Sequence, residues 1–200
     1  MKYLSWLLPL GIAAIIVIAF YGLIVGFNNS AVMLQETAKG SWGNVESSYQ
    51  RRNDLIGNLV KTVQGAANFE KGTLTAVIEA RAKATSTTID ISKATPAQIE
   101  AYRNNQSAVS SSLSRLLVSV ERYPELKANE NFLRLQTELE GTENRIKFAR
   151  DNYNIAVKPY NIHIKTFPNS FINGFFGFVE LPYYKSDKGA ENAPVVDFKF

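Results

Sequence analysis

The sequence predicts an all-α protein: an N-terminal transmembrane helix, an elongated antiparallel bundle of three long helices, and a short C-terminal aromatic helical segment. Three observations carry that reading. An uncharged apolar run opens the chain. Apolar residues then recur every seven positions through most of the remaining chain, and short polar or proline-bearing stretches interrupt them.

Residues 4–27, LSWLLPLGIAAIIVIAFYGLIVGF, hold no charged side chain. As a helix rising ~1.5 Å per residue they reach roughly 36 Å, enough to cross a hydrocarbon core about 30 Å thick. A cleaved signal peptide has an apolar core of only about 7–15 residues, so the run reads as a membrane span. Tyr3 and Trp6 suit one interface, and Pro9 falls in the first turns, where a missing amide donor does least harm. Gly22 and Gly26 form a GxxxG and are the candidate transmembrane contact, because small residues let helix backbones approach in lipid. Lys2 and Lys39 flank the span, so the basic-residue count is nearly tied. It leans toward the body lying outside the cytoplasm, on a single-pass anchor in the cell (inner) membrane.

The first long helix starts from Trp42. Trp42, Tyr49, Ile56, Val63 and Val77 fall at multiples of seven, with Val45, Leu59, Ala66 and Ala80 as companions. The stripe fades in the Ser/Thr-rich RAKATSTTIDISK. The second helix opens at Thr95-Pro96-Ala97-Gln98, an N-cap, a proline at the first helical position and a capping-box glutamine. Ile99, Tyr102, Gln106, Val109, Leu113, Leu116, Val120 and Tyr123 carry its stripe, and Pro124 ends it. In the third, Phe132, Leu139, Ile146, Tyr153, Tyr160 and Phe167 lie seven apart, with Leu135, Thr142, Ala149, Ala156 and His163 as the second row. Such stripes also suit a parallel coiled coil between chains, but the short connections near 86–95 and 124–129 favour antiparallel neighbours within one chain. The domain reading is therefore a tip at 1–3, the span at 4–27, the bundle at 30–180 and an extended tail at 181–200.

Composition narrows the chemistry. Net charge is +4 with signs mixed along the chain, so no dense basic stripe for nucleic acid appears. Cysteine is absent and there is a single histidine, His163, too few for a zinc site or for the paired Glu-x-x-His motifs of a di-iron bundle. No phosphate-cradling loop is present. The expectation is no catalysis, no metal and no cofactor.

With these residues placed, the chain resembles the LemA family through SWGNVESSYQRRNDLIGNLVKTVQG, EARAKA, ERYPELKANENFLRLQTELEGTENRIKFARDNYNIAV and YNIHIKTFPNSFINGFFGF. The resemblance implies a membrane-anchored helical bundle with no cofactor, no established reaction and a poorly defined molecular role. Where the family usually reads LIPNLV, Gly57 stands in place of the proline, which makes a bend there optional. Pro159, inside the third helix, predicts a kink.

Polar residues in or beside the stripes are the candidate site. Arg52, Asn58, Glu143, Arg150 and Asn154 are expected to meet as a polar layer between the first and third long helices, since a buried charge must be paired. That layer either fixes helix register or binds a ligand. In the tail, Phe171, Phe175 and Phe178 form a possible partner surface. The segment either folds back to close the bundle at the end far from the membrane or stays exposed to a partner. Gly65 and Gly72 are read as a bare face on the first helix that it could approach. The implied function is a non-enzymatic membrane scaffold or adaptor contacting the lipid bilayer and forming homo-oligomers or binding protein partners. The alternative is a small-ligand sensor or enzyme using the polar layer.

Overall fold

The computed structural model describes residues 4–65 and 69–185, with side chains from residue 9 onward. Tyr3, the side chain of Trp6, Ala66 and the terminal VVDFKF lie outside what is described. Within them are six helices and no strand: α1 (Leu4–Gln64), α2 (Lys71–Thr85), α3 (Pro96–Val120), α4 (Pro124–Lys127), α5 (Glu130–Lys165) and α6 (Asn169–Phe176).

α1 joins the apolar run and the first bundle helix into one rod of about 90 Å at ~1.5 Å per residue. It is the one helix, among the described residues, long and apolar enough to cross a membrane. Its side chains from residue 9 to Val25 are largely open, whereas Phe27, Ala31, Ala38, Trp42, Val45 and Tyr49 are buried against the bundle.

The stripe read as one helix from Trp42 to Ala80 is two helices. α1 ends at Gln64, Glu70 is extended (φ −62°, ψ 107°), and α2 runs back beside α1, where Arg81 Nε donates to the Asn53 carbonyl at 2.7 Å. Gly65 and Gly72 flank this reversal and do not form an approach face. α3 then runs parallel to α1: Arg52 meets Gln106 and Ser110. Its start carries the expected capping box, with Gln98 N donating to Thr95 Oγ1 and Thr95 N donating to Gln98 Oε1.

α5 descends antiparallel to α1, pairing Glu143 with Arg52, Tyr160 with Gln35, and His163 with Phe27. Asn129 caps it by accepting from Phe132 N, and it continues as helix through Pro159. Phe167 lies beyond its end, 87% exposed, and not in the core. The unforeseen reversal of direction between α1 and α2 inverts the direction of every later helix. The chain therefore leaves α5 at the apolar end of α1, not at the far end.

The buried apolar side chains form two clusters. One, nearer the apolar end, gathers residues such as Phe27, Trp42, Tyr102, Tyr153, Tyr160 and Tyr184. The other gathers Ile56, Leu59, Val77, Leu116, Phe132 and Leu139.

After α6 the chain turns at Gly177, whose φ of 74° favours glycine, and residues 178–184 climb back along α5. Three asparagines hold this extended piece. Asn173, Asn161 and Asn154 each donate Nδ2 to the carbonyl and accept at Oδ1 from the amide of Phe178, Leu181 and Tyr184, respectively, at 2.8–3.0 Å. The spacing follows from geometry: seven helical residues rise about 10.5 Å, and three extended residues span about 10 Å. Side-chain amides thus replace the strand partner that this backbone lacks. Asn161→Ala is expected to cost roughly 2–3 kcal/mol, by losing two bonds and leaving buried peptide groups unmatched. Hydrogen exchange at Leu181 and its neighbours should rise more than in α3; equal protection in the variant would contradict the ladder.

Candidate functional site

A polar layer separates the two apolar clusters. Arg52, with no exposure to water, supplies it from α1. Its Nη1 donates to Ser110 Oγ at 2.8 Å and Glu143 Oε1 at 3.0 Å; its Nη2 donates to the Gln106 carbonyl at 3.1 Å and Gln106 Oε1 at 2.8 Å. Four acceptors from α3 and α5 therefore answer the two terminal amino groups. The Glu143 side chain is 46% exposed, so the pair has a dry cation and a wetted carboxylate. Thr142 is buried beside it and returns its hydroxyl to the Leu139 carbonyl.

One turn toward the apolar end, Tyr49 lies between two guanidiniums, Arg52 at 4.9 Å and Arg150 at 5.4 Å from the ring centroid. Arg150 also donates Nε to Tyr49 Oη at 2.9 Å and stacks 4.7 Å from the Tyr184 ring. The Tyr49 and Tyr184 hydroxyls lie 2.7 Å apart. Burial raises the phenols of Tyr102, Tyr153, Tyr160 and Tyr184 above their usual range, and the neighbouring Tyr49 adds to the shift at Tyr102 and Tyr184. Burial also raises the Glu46 carboxyl.

The expected site residues therefore divide. Arg52 and Glu143 are in direct contact, with α3 as a third contributor. Arg150 is one step away, joined through Tyr49. Asn154 belongs to the asparagine ladder and binds the Tyr184 backbone. Asn58 is not in the layer: it is exposed and lines an open groove with Asp54, Lys61 and Arg81. The buried asparagine of α1 is Asn53, one residue from Arg52. Phe178 likewise turns inward, 6.0 Å from the Phe27 ring, whereas Phe171 and Phe175 are exposed. Gly22 and Gly26 face open space. The roles of Ser110, Tyr49, Asn161 and Tyr184 escape a reading of the sequence. The seven-residue interval from Asn154 to Asn161, set against Leu181 and Tyr184, is the signal that could have found the ladder.

Gly57 has a local use. A Cβ there would stand 3.2 Å from Arg81 Nη2, so glycine admits the guanidinium to the backbone of α1. Elsewhere, His163 stacks on Phe27 at 5.1 Å, with Nε2 3.1 Å from the Phe27 carbonyl and Nδ1 3.2 Å from Asn169 Nδ2. It serves as a polar clamp between α1 and α5. Among the described residues no group of three or more His, Asp or Glu could hold a metal ion.

An apolar rod carrying a helical bundle, with an arginine layer at the bundle's middle, defines the class of protein. The chain belongs to the LemA family, which matches residues 41–198. It is similar to magnetosome protein MamQ 2 of Paramagnetospirillum magneticum, 25% identical over 92% of this chain and 74% of that one. Similarity to magnetosome protein MamQ of Magnetospirillum gryphiswaldense is also 25%, over 94% and 75%. Protein LemA of Metamycoplasma hominis is 28% identical over 74% of this chain and 64% of its own length. None of these names is that of an enzyme.

Two predictions arise from the layer. Replacing Arg52→Met with Glu143→Leu leaves Gln106 buried without its partner, so this pair should remain destabilised by roughly 1–3 kcal/mol. Adding Gln106→Leu should bring the thermal midpoint, followed by circular dichroism, back near the parent; no recovery would mean that the layer is not a self-contained unit. The second concerns alkali. Unfolded tyrosines ionise near pH 10, while these native ones keep their protons longer. The unfolded state then binds fewer protons, so stability falls as pH rises above that point. Tyrosinate absorbance from the buried set should appear together with helix loss, not before it.

Proposed function

We propose that the protein is a membrane-anchored, non-enzymatic scaffold that self-associates and presents its helical bundle at a fixed attitude to the bilayer. The observation that carries this reading is the continuity of α1, in which the apolar run and the central strut of the bundle are one helix. Residues 4–27 form the single span in the cell membrane, with the body outside the cytoplasm by the count of flanking basic residues. Copies sharing a membrane then stand parallel and at equal height, so identical surfaces meet in register.

A surface suited to that meeting runs down α5. Gly141, Phe148, Ile155 and Ile162 recur every seven residues, and the three large side chains are 49–69% exposed. Such a strip packs helix on helix. The open faces of Gly22 and Gly26 offer a second contact within the span.

The full chain, sized in mild detergent at micromolar concentration, is expected to be a dimer or larger. Phe148→Glu with Ile155→Glu should reduce it to monomer at unchanged helicity, and Gly22→Ile with Gly26→Ile reports the share held by the span. A parent that is strictly monomeric ends the proposal.

A further inference from the structure

We propose that α6 and the adjoining Phe167 make a second contact with the bilayer, lying in its interface beside the point where α1 emerges. The proposal rests on the reading of α1 as a membrane span.

Topology places α6 there. α5 descends toward the apolar end of α1, residues 178–184 climb away from it, and α6 is the turn between them. Its height is marked by Phe27, the last residue of the uncharged run, whose ring lies 5.8 Å from Phe176, 6.0 Å from Phe178 and 5.1 Å from His163. A span of roughly 36 Å slightly exceeds a hydrocarbon core of about 30 Å, so Phe27 and α6 fall in the interfacial zone.

The side chains of α6 sort by face. Ile172 is buried, anchoring the helix on the bundle. Phe167, Phe171 and Phe175, spaced by four, are 87%, 64% and 79% exposed, and the last two rings touch edge to face at 5.7 Å. No charged residue occurs between Lys165 and Glu180, and those two neutralise each other at 2.8 Å. An uncharged row of phenylalanines is costly in water but suits the acyl boundary, where an interfacial helix sinks its apolar face about 5–10 Å. A phenylalanine ring has that reach.

The occupant is lipid and not a second copy because of where the face sits. α1 enters the bilayer at this end, so the face is held against headgroups at all times, and the apolar surface of α1 continues into it through Phe27 and Phe176. This contact also sets the bundle's rotation about α1, which a lone span leaves free.

The chain has no cysteine, so single labels can be placed without other changes. Nitroxides at Phe171→Cys and Phe175→Cys are compared with Ile16→Cys in the run and Val118→Cys, 71% exposed near the distal end of α3, each full chain reconstituted in phosphatidylcholine–phosphatidylglycerol vesicles. Collision with oxygen relative to a water-soluble nickel chelate reports depth. Positions 16, 171 and 175 are expected to favour oxygen several-fold over position 118. Water-like ratios at 171 and 175 with a lipid-like ratio at 16 would overturn the α6 contact and leave the span standing. A water-like ratio at 16 removes the span itself, and the proposal with it. Labels at 171 and 175 shielded from both reagents mean that protein covers the face, which also overturns it.

Discussion

A guanidinium shut away from water needs acceptors at its terminal amino groups, and those acceptors dictate where three helices can stand. Arg52 takes a carboxylate from α5 and an amide, a carbonyl and a hydroxyl from α3. Sliding either helix by one turn would leave a cation in a dry core, at a cost of several kcal/mol. Apolar contacts alone tolerate such slippage, since one leucine replaces another seven residues along. The layer thus removes the degeneracy that a heptad pattern carries. Glu143, open to solvent on its outer side, limits the desolvation to one ion of the pair.

The two clusters on either side differ in kind. The distal one is mostly aliphatic and joins α1, α2, α3 and α5. The one nearer the apolar end is rich in tyrosine, with hydroxyls bonded to carbonyls of the returning segment: Tyr153 to Pro182 and Tyr160 to Val179. Tyrosine suits that place because its ring fills the core while its hydroxyl satisfies an extended backbone that has no sheet neighbour.

Helix content and most inward-facing residues were legible, because a seven-residue stripe needs no knowledge of topology. Val63 on α1 and Val77 on α2 keep one phase, and that makes a reversal look like continuation. Periodicity records which side of a helix is buried, not which way the chain is travelling. The error propagates: with one hairpin unseen, the stripe alone puts the aromatic segment at the wrong end. Asn58 was a different kind of miss. It lies one residue before Leu59, off the inward face, whereas Asn53 sits three before Ile56, on it; helical arithmetic separates the two. The pairing of Arg52 with Glu143 needed only the rule that buried charge seeks its opposite. Its third contributor, α3, required the topology that the stripe conceals.

The unbroken rod of α1 also makes the molecule a lever. Its portion beyond Phe27 extends about 55 Å at ~1.5 Å per residue. With the apolar run set in a bilayer, as proposed, a tilt of roughly 20°, an ordinary angle for a span matching itself to a thinner bilayer, would sweep the distal tip sideways by about 19 Å. A change in lipid thickness of a few ångströms would thereby be magnified into a displacement comparable to the width of two packed helices.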